Sequence, residues 1–229
     1  MTGLTIIDCG DSAVRVMSAE GTADERWSAV HHLADSLADV RADGLRSAIA
    51  TYDAVLVEFD CAVTTHADIR GLVERIAAGS PRSDRAPKAF EIPVVYGGEY
   101  GPDLDFVAYH LGITPDEVIA QHSSEPLTMR CYGSPGGAPM LDGPAFPLPV
   151  PRRSSPRPSV PAGAVAVAGR QAVVSARPAP GGWQVLGRTP VDLVDITATP
   201  LSAFAPGDTF RFVPITEFEW TEYTGRLHG

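Results

Sequence analysis

Lysine is nearly absent from this sequence of 229 residues, in which Lys88 is the only example. A phosphate-binding loop of the Gly-x-x-x-x-Gly-Lys-Ser/Thr type is therefore excluded, and with it ATP binding by such a loop. Schiff-base chemistry would depend on Lys88 alone. That residue ends the segment SPRSDRAPK, residues 80–88, whose prolines and charges are typical of a linker.

Cysteines are few, and long apolar runs are missing. Cys9, Cys61 and Cys131 lie far apart, and none belongs to a Cys-x-x-Cys pair. This pattern argues against structural zinc, so we expect no metal site, and it predicts free thiols in a reducing compartment. No apolar run approaches the roughly 18 residues that span a bilayer, and the first residues do not resemble a signal peptide. We therefore expect a cytoplasmic protein without a membrane partner.

The formal net charge of −10 disfavours nucleic acid as a partner, because phosphates repel an acidic surface. Two short helices predicted in the second half could resemble a helix-turn-helix. We expect their acidic residues to be exposed, which argues against that interpretation; they are Asp103, Asp105, Asp116 and Glu117.

The first 83 residues contain a strand–strand–helix pattern twice. The β-prone pairs are LTIIDC with AVRVM and LRSAIA with AVLVEF. The first helix begins with a capping box of Thr22 and Glu25, and the second runs from Thr65 to Gly79. The pattern predicts a small α/β sandwich, with both helices on one face of an antiparallel sheet, as the N-terminal domain over residues 1–83.

The remaining residues predict a second domain over residues 88–229, consisting mostly of strands. Short β-prone runs separated by glycine and proline, among them FEIPVVY, VPAGAVAVAG, WQVLG and DTFRFVPI, are typical of a barrel or sandwich. The fold class is therefore α+β.

Four motifs follow one another between about residues 90 and 215: EIPVVYGGEYGPDLDFVAYHLGITPDEVIAQHSS, PRRSSPRPSVPAGAVAVAGRQ, PGGWQVLGRTP and LSAFAPGDTFRFVPI. Together they resemble the family that contains allophanate hydrolase subunit 1, the B subunit of 5-oxoprolinase and the KipI-type histidine-kinase inhibitors. The resemblance implies that the second domain is a cyclophilin-like β-barrel. It also implies a heteromeric complex with a homologous subunit 2, in which a third protein participates. Such a complex hydrolyses an amide or lactam and uses ATP, which another subunit would mainly bind.

Arginines are the first candidates for a site. Arg152, Arg153, Arg157 and Arg188 could clamp an anionic substrate, because a guanidinium offers paired donors to a carboxylate. The interpretation is favoured for Arg157 and Arg188, which lie in motifs of the resemblance. Two alternatives stay open: bonds to backbone carbonyls in proline-rich loops, and contacts with subunit 2.

Four other residues complete the candidate site. Gln171 could bind an amide or lactam through its side-chain amide, or satisfy local backbone. His122 could be a general base, a helix cap or a partly buried core residue. In PGGW we expect positive φ at Gly181 and Gly182, and Trp183 either contacts substrate or plugs the barrel. Thr189, beside Arg188, is a further substrate contact. Arg188 and His122 are thus the candidate catalytic residues.

Two segments depart from the family pattern. YGSPGGAPML keeps Pro135 and Gly136 but has Gly133 and Gly137 where the family has aromatic residues, and AVVSA after Gln171 contains no tyrosine or proline. Three outcomes stay open: a different substrate, catalysis supplied mostly by subunit 2, or no catalysis.

The main hypothesis for the function of the chain is that it is a subunit of a hydrolase complex. The alternative is a regulatory protein that binds a histidine kinase. Peptidyl-prolyl isomerisation is discounted, because fold alone does not carry function.

Overall fold

A computed structural model of the chain describes residues 3–79, 85–133 and 136–227. The chain divides into two compact units, residues 1–86 and 87–229. The linker residues 80–84 and Pro135 lie outside the described residues. The domain boundary between residues 83 and 88 therefore stays a prediction.

Unit 1 is a four-stranded antiparallel sheet with two helices. The strands are β1 (Leu4–Asp8), β2 (Ala13–Ser18), β3 (Leu45–Ala50) and β4 (Ala54–Phe59), in the order β1-β2-β4-β3, and the helices are α1 (Ala23–Ala38) and α2 (His66–Gly79). Alternate residues of β2 and β4, such as Val16 and Val57, form one core with Leu33 of α1 and Ile69 of α2. The helices therefore cover one face of the sheet, as the sequence predicts.

Unit 2 is built around a closed barrel. Its elements are β5 (Ala89–Tyr96), α3 (Leu104–Leu111), α4 (Pro115–Ser123), β6 (Leu127–Gly133), β7 (Ala138–Asp142), β8 (Arg157–Val160), β9 (Ala164–Ala168), β10 (Gln171–Val174), β11 (Ala179–Gly181), β12 (Gln184–Arg188), β13 (Val191–Asp192), β14 (Thr209–Pro214), a 3-10 turn (Glu217–Glu219) and β15 (Gly225–Arg226). The barrel order is β10-β7-β6-β14-β5-β12-β9, and within the barrel β5 and β14 pair in parallel whereas the other pairs are antiparallel. The predicted α+β class with a β-barrel is confirmed.

Large apolar side chains fill the barrel. Phe90, Phe210 and Phe212 from the parallel pair meet Val165 and Val167 of β9 in one buried cluster. Two short two-stranded sheets, β8 with β11 and β13 with β15, lie outside the barrel. No helix among the described residues is long and apolar enough to cross a membrane.

Candidate functional site

A cavity of about 440 Å³ lies outside the barrel, between its wall and the two-stranded sheet of β8 and β11. Side chains alternate along a strand, so Val165 and Val167 point into the barrel whereas Ala166 faces outward. Ala166 lines the cavity together with Val173, its partner across the β9–β10 hairpin, and with Val160 of β8. The outward face of the β9–β10 hairpin thus gives this cavity, which we call the hairpin cavity, an apolar floor.

Trp183 forms a wall of the hairpin cavity. It is half-buried and packs against a small cluster on the outer face of the barrel, to which Val160 and Ala166 belong. The prediction that it plugs the barrel is therefore wrong. The expected positive φ at Gly181 and Gly182 is also not found. Gly181 instead allows its backbone to pack closely against Val160, because a Cβ at position 181 would lie 2.9 Å from Val160 Cγ2.

Two exposed arginines line the same cavity, and neither forms an ion pair within the described ranges. Arg152 precedes β8, and its Nη2 would lie 3.5 Å from a Cβ on Gly182. Arg177 packs its aliphatic stem against Gly136, where a Cβ would come within 2.8 Å of Arg177 Cδ. Two guanidinium groups beside an apolar floor suit an anion that also carries a hydrophobic part.

The other polar groups of the hairpin cavity offer little catalytic chemistry. Burial raises the pKa of the Cys131 thiol to about 11, so this cysteine is not a thiolate at neutral pH. The Tyr132 hydroxyl donates to the Phe204 carbonyl at 2.6 Å. Among the described residues, no aspartate, glutamate or histidine lines this cavity. The described part of the chain also brings no three potential metal ligands together. The cavity can therefore bind and orient an anion, but it contributes no evident base.

Arg153 and Arg157 do not converge on the hairpin cavity. Both bind the carboxylate of Asp103, Arg157 through two hydrogen bonds of 2.8 Å and Arg153 through one of 3.0 Å. The Val185 N–H donates to the same carboxylate at 2.7 Å. Asp103 is buried, so the expectation that it is exposed on the helix surface is wrong. Its carboxylate therefore binds two of the arginines that the sequence offered as substrate ligands, Arg153 and Arg157.

The pKa of Asp103 reflects these contacts. Burial raises it, but the hydrogen bonds from Arg157 and Val185 and the charges of Arg157 and Arg153 outweigh this effect. Together they hold the pKa below the ordinary value of an aspartate.

His122 lies in the barrel core. It is fully buried, its ring centroid is 4.4 Å from that of Phe212, and its Nδ1 is 2.7 Å from the Tyr96 hydroxyl. Burial lowers the pKa of His122 to about 3 and raises that of Tyr96. A fully buried imidazole that does not line the hairpin cavity does not fit the role of a general base there.

Arg188, Thr189 and Gln171 also lie apart from the hairpin cavity. Arg188 lines a second cavity together with Arg157. Thr189 is buried, and its hydroxyl accepts a bond from the Val191 N–H at 3.2 Å. Gln171 begins β10 half-buried and lines neither cavity within the described ranges.

Of the residues that the sequence singled out for catalysis or substrate binding, Trp183 and Arg152 therefore line the hairpin cavity, together with the unpredicted Arg177. The sequence signal for Arg177 was its position just before the PGGW motif. Asp103 gave a misleading signal, since an aspartate after Pro102 at a helix start is typical of a cap. Its side chain makes no cap hydrogen bond here.

A protein-family model described as the carboxyltransferase domain, subdomain C and D, matches residues 4–204. The chain belongs to this family, which confirms the resemblance. The B subunit of 5-oxoprolinase from Bacillus subtilis is 33% identical over 225 residues, which cover 93% of this chain and 94% of that protein. The crystal structure of TTHA0988 superimposes with a TM-score of 0.77 at 32% identity and covers 89% of this chain, which spans only 39% of that longer chain. The Kluyveromyces lactis urea carboxylase shares the fold, with a TM-score of 0.78 at 17% identity over 98% of this chain and 23% of its own.

Proposed function

We propose that this chain is one subunit of a heteromeric, ATP-dependent hydrolase of the 5-oxoprolinase type, in which it takes the place of the B subunit and acts with a homologous subunit 2. The proposal is supported by the 33% identity to the Bacillus subtilis B subunit over nearly the whole of both chains. ATP would be bound mainly by another subunit, because this sequence contains no lysine-bearing phosphate loop. The substrate would be a small amide or lactam.

The proposed substrate site is supported by one observation. Within the described residues, the two guanidinium groups of the hairpin cavity form no ion pair, and they lie beside an apolar floor and an indole wall. 5-Oxoproline carries a carboxylate on a small ring with apolar methylene groups. The carboxylate would accept hydrogen bonds from Arg152 and Arg177, and the methylene groups would pack against Trp183. Bound in this way, the lactam is held at its carboxylate end.

The role of this chain would be to bind and orient the substrate. The described lining of the hairpin cavity has no carboxylate or imidazole to move a proton, and the Cys131 thiol is protonated at neutral pH. The groups that activate water and transfer protons would come from the partner subunits. Of the outcomes that the sequence leaves open, this one agrees best with the cavity.

The range of substrates to be tested is wider than 5-oxoproline because of Gly133. This residue borders the hairpin cavity at a position where the family resemblance implies an aromatic residue. The smaller residue widens the cavity on that side. Carboxylate-bearing lactams with larger rings are therefore substrates to compare with 5-oxoproline.

The test is co-purification of the untagged chain with a tagged subunit 2, followed by addition of the third protein, 5-oxoproline and ATP. We expect a stable complex and ATP-dependent release of glutamate. Arg152→Gln and Arg177→Gln should each lower kcat/KM about 10–100-fold, mainly through KM, without affecting assembly. Arg41→Gln is the matched control, because Arg41 is exposed and lies in unit 1.

Absence of a complex would contradict the subunit proposal. A complex that hydrolyses none of the lactams would contradict the proposed activity. Unchanged kinetics in both arginine variants would instead show that the substrate does not bind in the hairpin cavity. Docking on a histidine kinase gains no support from the relatives described above and is not proposed.

A further inference from the structure

A second cavity of about 430 Å³ shares no lining residue with the hairpin cavity among the described residues and takes no part in the proposed hydrolysis. We call it the turn cavity, because the turn that follows β5 forms one side of it. Its lining residues include Glu99, Tyr100, Val185, Arg188 and Trp220.

The turn over residues 97–101, with the sequence GGEYG, is fixed against the barrel. The Gly97 N–H donates to the Leu186 carbonyl of β12 at 3.0 Å, and the Gly101 N–H donates to the Gly97 carbonyl at 2.8 Å. These bonds tie both ends of the turn and place Glu99 and Tyr100 at the cavity. The carboxylate and the phenol ring are thus presented from an anchored backbone.

Arg188 is held from the opposite side. Its Nε donates to the Ala162 carbonyl at 2.9 Å, and its guanidinium carbon lies 5.5 Å from the centroid of the Trp220 ring. Trp220 in turn packs on Tyr100, with ring centroids 5.2 Å apart. Among the described residues, the terminal nitrogens of Arg188 have no partner, so a fixed guanidinium offers a pair of donors to a ligand.

The turn cavity has one guanidinium and one carboxylate available to a ligand. Arg157 also lines it, but both terminal nitrogens of that guanidinium bind Asp103. One guanidinium, on Arg188, and one carboxylate, on Glu99, remain, and no ion pair joins them within the described part of the chain. The rest of the lining is apolar or aromatic. A ligand that complements this arrangement carries an anion, a cation and an apolar body.

We infer that the turn cavity binds a free α-amino acid with an apolar side chain. The α-carboxylate accepts hydrogen bonds from the terminal nitrogens of Arg188, and the α-ammonium group pairs with Glu99. The side chain packs against Tyr100 and Trp220. Because this site uses neither Arg152 nor Arg177, its ligand is separate from the substrate of the hairpin cavity.

The experiment is isothermal titration of the full chain with L-leucine, N-acetyl-L-leucine and L-leucinamide. The acetyl derivative has no ammonium group, and the amide has no carboxylate. We expect L-leucine to bind at millimolar or lower concentrations and each derivative to bind at least about tenfold more weakly. Absence of L-leucine binding, or equal affinity for all three compounds, would overturn the inference.

Variants assign the two contacts. Arg188→Gln and Glu99→Gln should each weaken L-leucine binding about tenfold or more. Glu99 is exposed, so its substitution does not threaten folding, and exposed Glu125→Gln is the matched control. Arg152→Gln should leave L-leucine binding unchanged, which separates this inference from the proposed substrate site. If Glu99→Gln and Glu125→Gln bind L-leucine alike, the inference fails.

Discussion

The Asp103 carboxylate and the Arg157 guanidinium face each other through two hydrogen bonds of 2.8 Å, from Nη1 to Oδ2 and from Nη2 to Oδ1. The same carboxylate accepts bonds from Arg153 and from the Val185 N–H, so it joins the start of α3, the β8 strand and β12. Arg152 directly precedes Arg153 in the chain. The buried carboxylate therefore connects the segments that border both cavities.

Replacing Asp103 with alanine should strongly destabilise unit 2. Arg157 would lose a bidentate partner, with 22% of its side chain exposed, and the buried Val185 N–H would lose its acceptor. We expect the free energy of unfolding to fall by about 3 kcal/mol, as when one partner of a largely buried ion pair is removed. Urea denaturation of the full chain, followed by tryptophan fluorescence, measures this loss.

The matched control for that variant is Asp105→Ala, which removes an exposed carboxylate from the first turn of α3. Within the described residues this carboxylate has no hydrogen-bond or ion-pair partner, so its loss removes a favourable interaction with the helix dipole and should cost less than about 1 kcal/mol. Equal losses in the two variants would show that the Asp103 network does not stabilise the fold.

His122 should make unit 2 less stable in mild acid. Burial lowers the pKa of His122 to about 3 in the folded state, whereas in the unfolded chain it returns to the ordinary value of 6.5. Between these values only the unfolded state binds the proton, so the free energy of unfolding falls as the pH drops below 6.5. The loss attributable to His122 between pH 7 and pH 5 should be about 2 kcal/mol.

Urea denaturation at the two pH values tests this expectation. His122→Gln should remove most of the pH dependence, because glutamine does not titrate and can still bind the Tyr96 hydroxyl. His110→Gln should retain it, since His110 is only half-buried and bonds the Pro149 carbonyl at 3.0 Å. The same pH dependence in wild type and His122→Gln would refute the assignment.

Local signals predicted the elements of the fold. The predicted capping box of Thr22 with Glu25 forms, and α1 begins at the residue after Thr22. The signals succeed because capping and apolar spacing depend on neighbours within one or two turns. Closure of the barrel followed from the family resemblance, since pairing of β9 with β12 and of β5 with β14 joins segments that no local pattern links.

The site depended on contacts that sequence spacing does not contain. Arg153 and Arg157 meet Asp103 across 50 and 54 residues, so their pairing appears only when β8 lies beside the start of α3. His122 has the position of a helix cap in the sequence, but Phe212 of a distant strand covers it. Burial and pairing of this kind decide which charged residues stay available to a ligand.

Cys131 should be the unreactive thiol of the three. Cys9 and Cys61 are exposed, whereas Cys131 is buried with a pKa raised to about 11. At pH 8 only about one Cys131 thiol in a thousand is ionised, and the thiolate is the reactive form. Titration with a thiol reagent should therefore show two fast thiols and one slow thiol.

The Cys9→Ser, Cys61→Ser double variant isolates the slow thiol. It should react negligibly in the folded state and with one equivalent of reagent in denaturant. Fast reaction of this variant without denaturant would mean that the wall of the hairpin cavity opens to solvent at Cys131.

Gly101 should be the position in the 97–101 turn that tolerates a side chain least. A Cβ there would lie 1.9 Å from the Leu186 carbonyl oxygen, which is a backbone atom that cannot move aside. Gly101→Ala must lift the turn from β12 and break the bond from the Gly97 N–H. We expect a loss of about 3 kcal/mol in the free energy of unfolding, as for severe overpacking, and loss of L-leucine binding.

Gly98→Ala separates this steric effect from the general cost of a side chain in the turn. Gly98 has a φ of +54°, and no described atom lies within 4 Å of its Cβ position. Its substitution should cost only about 1 kcal/mol of backbone strain and leave Glu99 close enough to bind L-leucine. Thermal denaturation and titration of the two variants measure both effects. If Gly101→Ala unfolds and binds like Gly98→Ala, close packing of the turn on β12 does not hold the turn cavity in place.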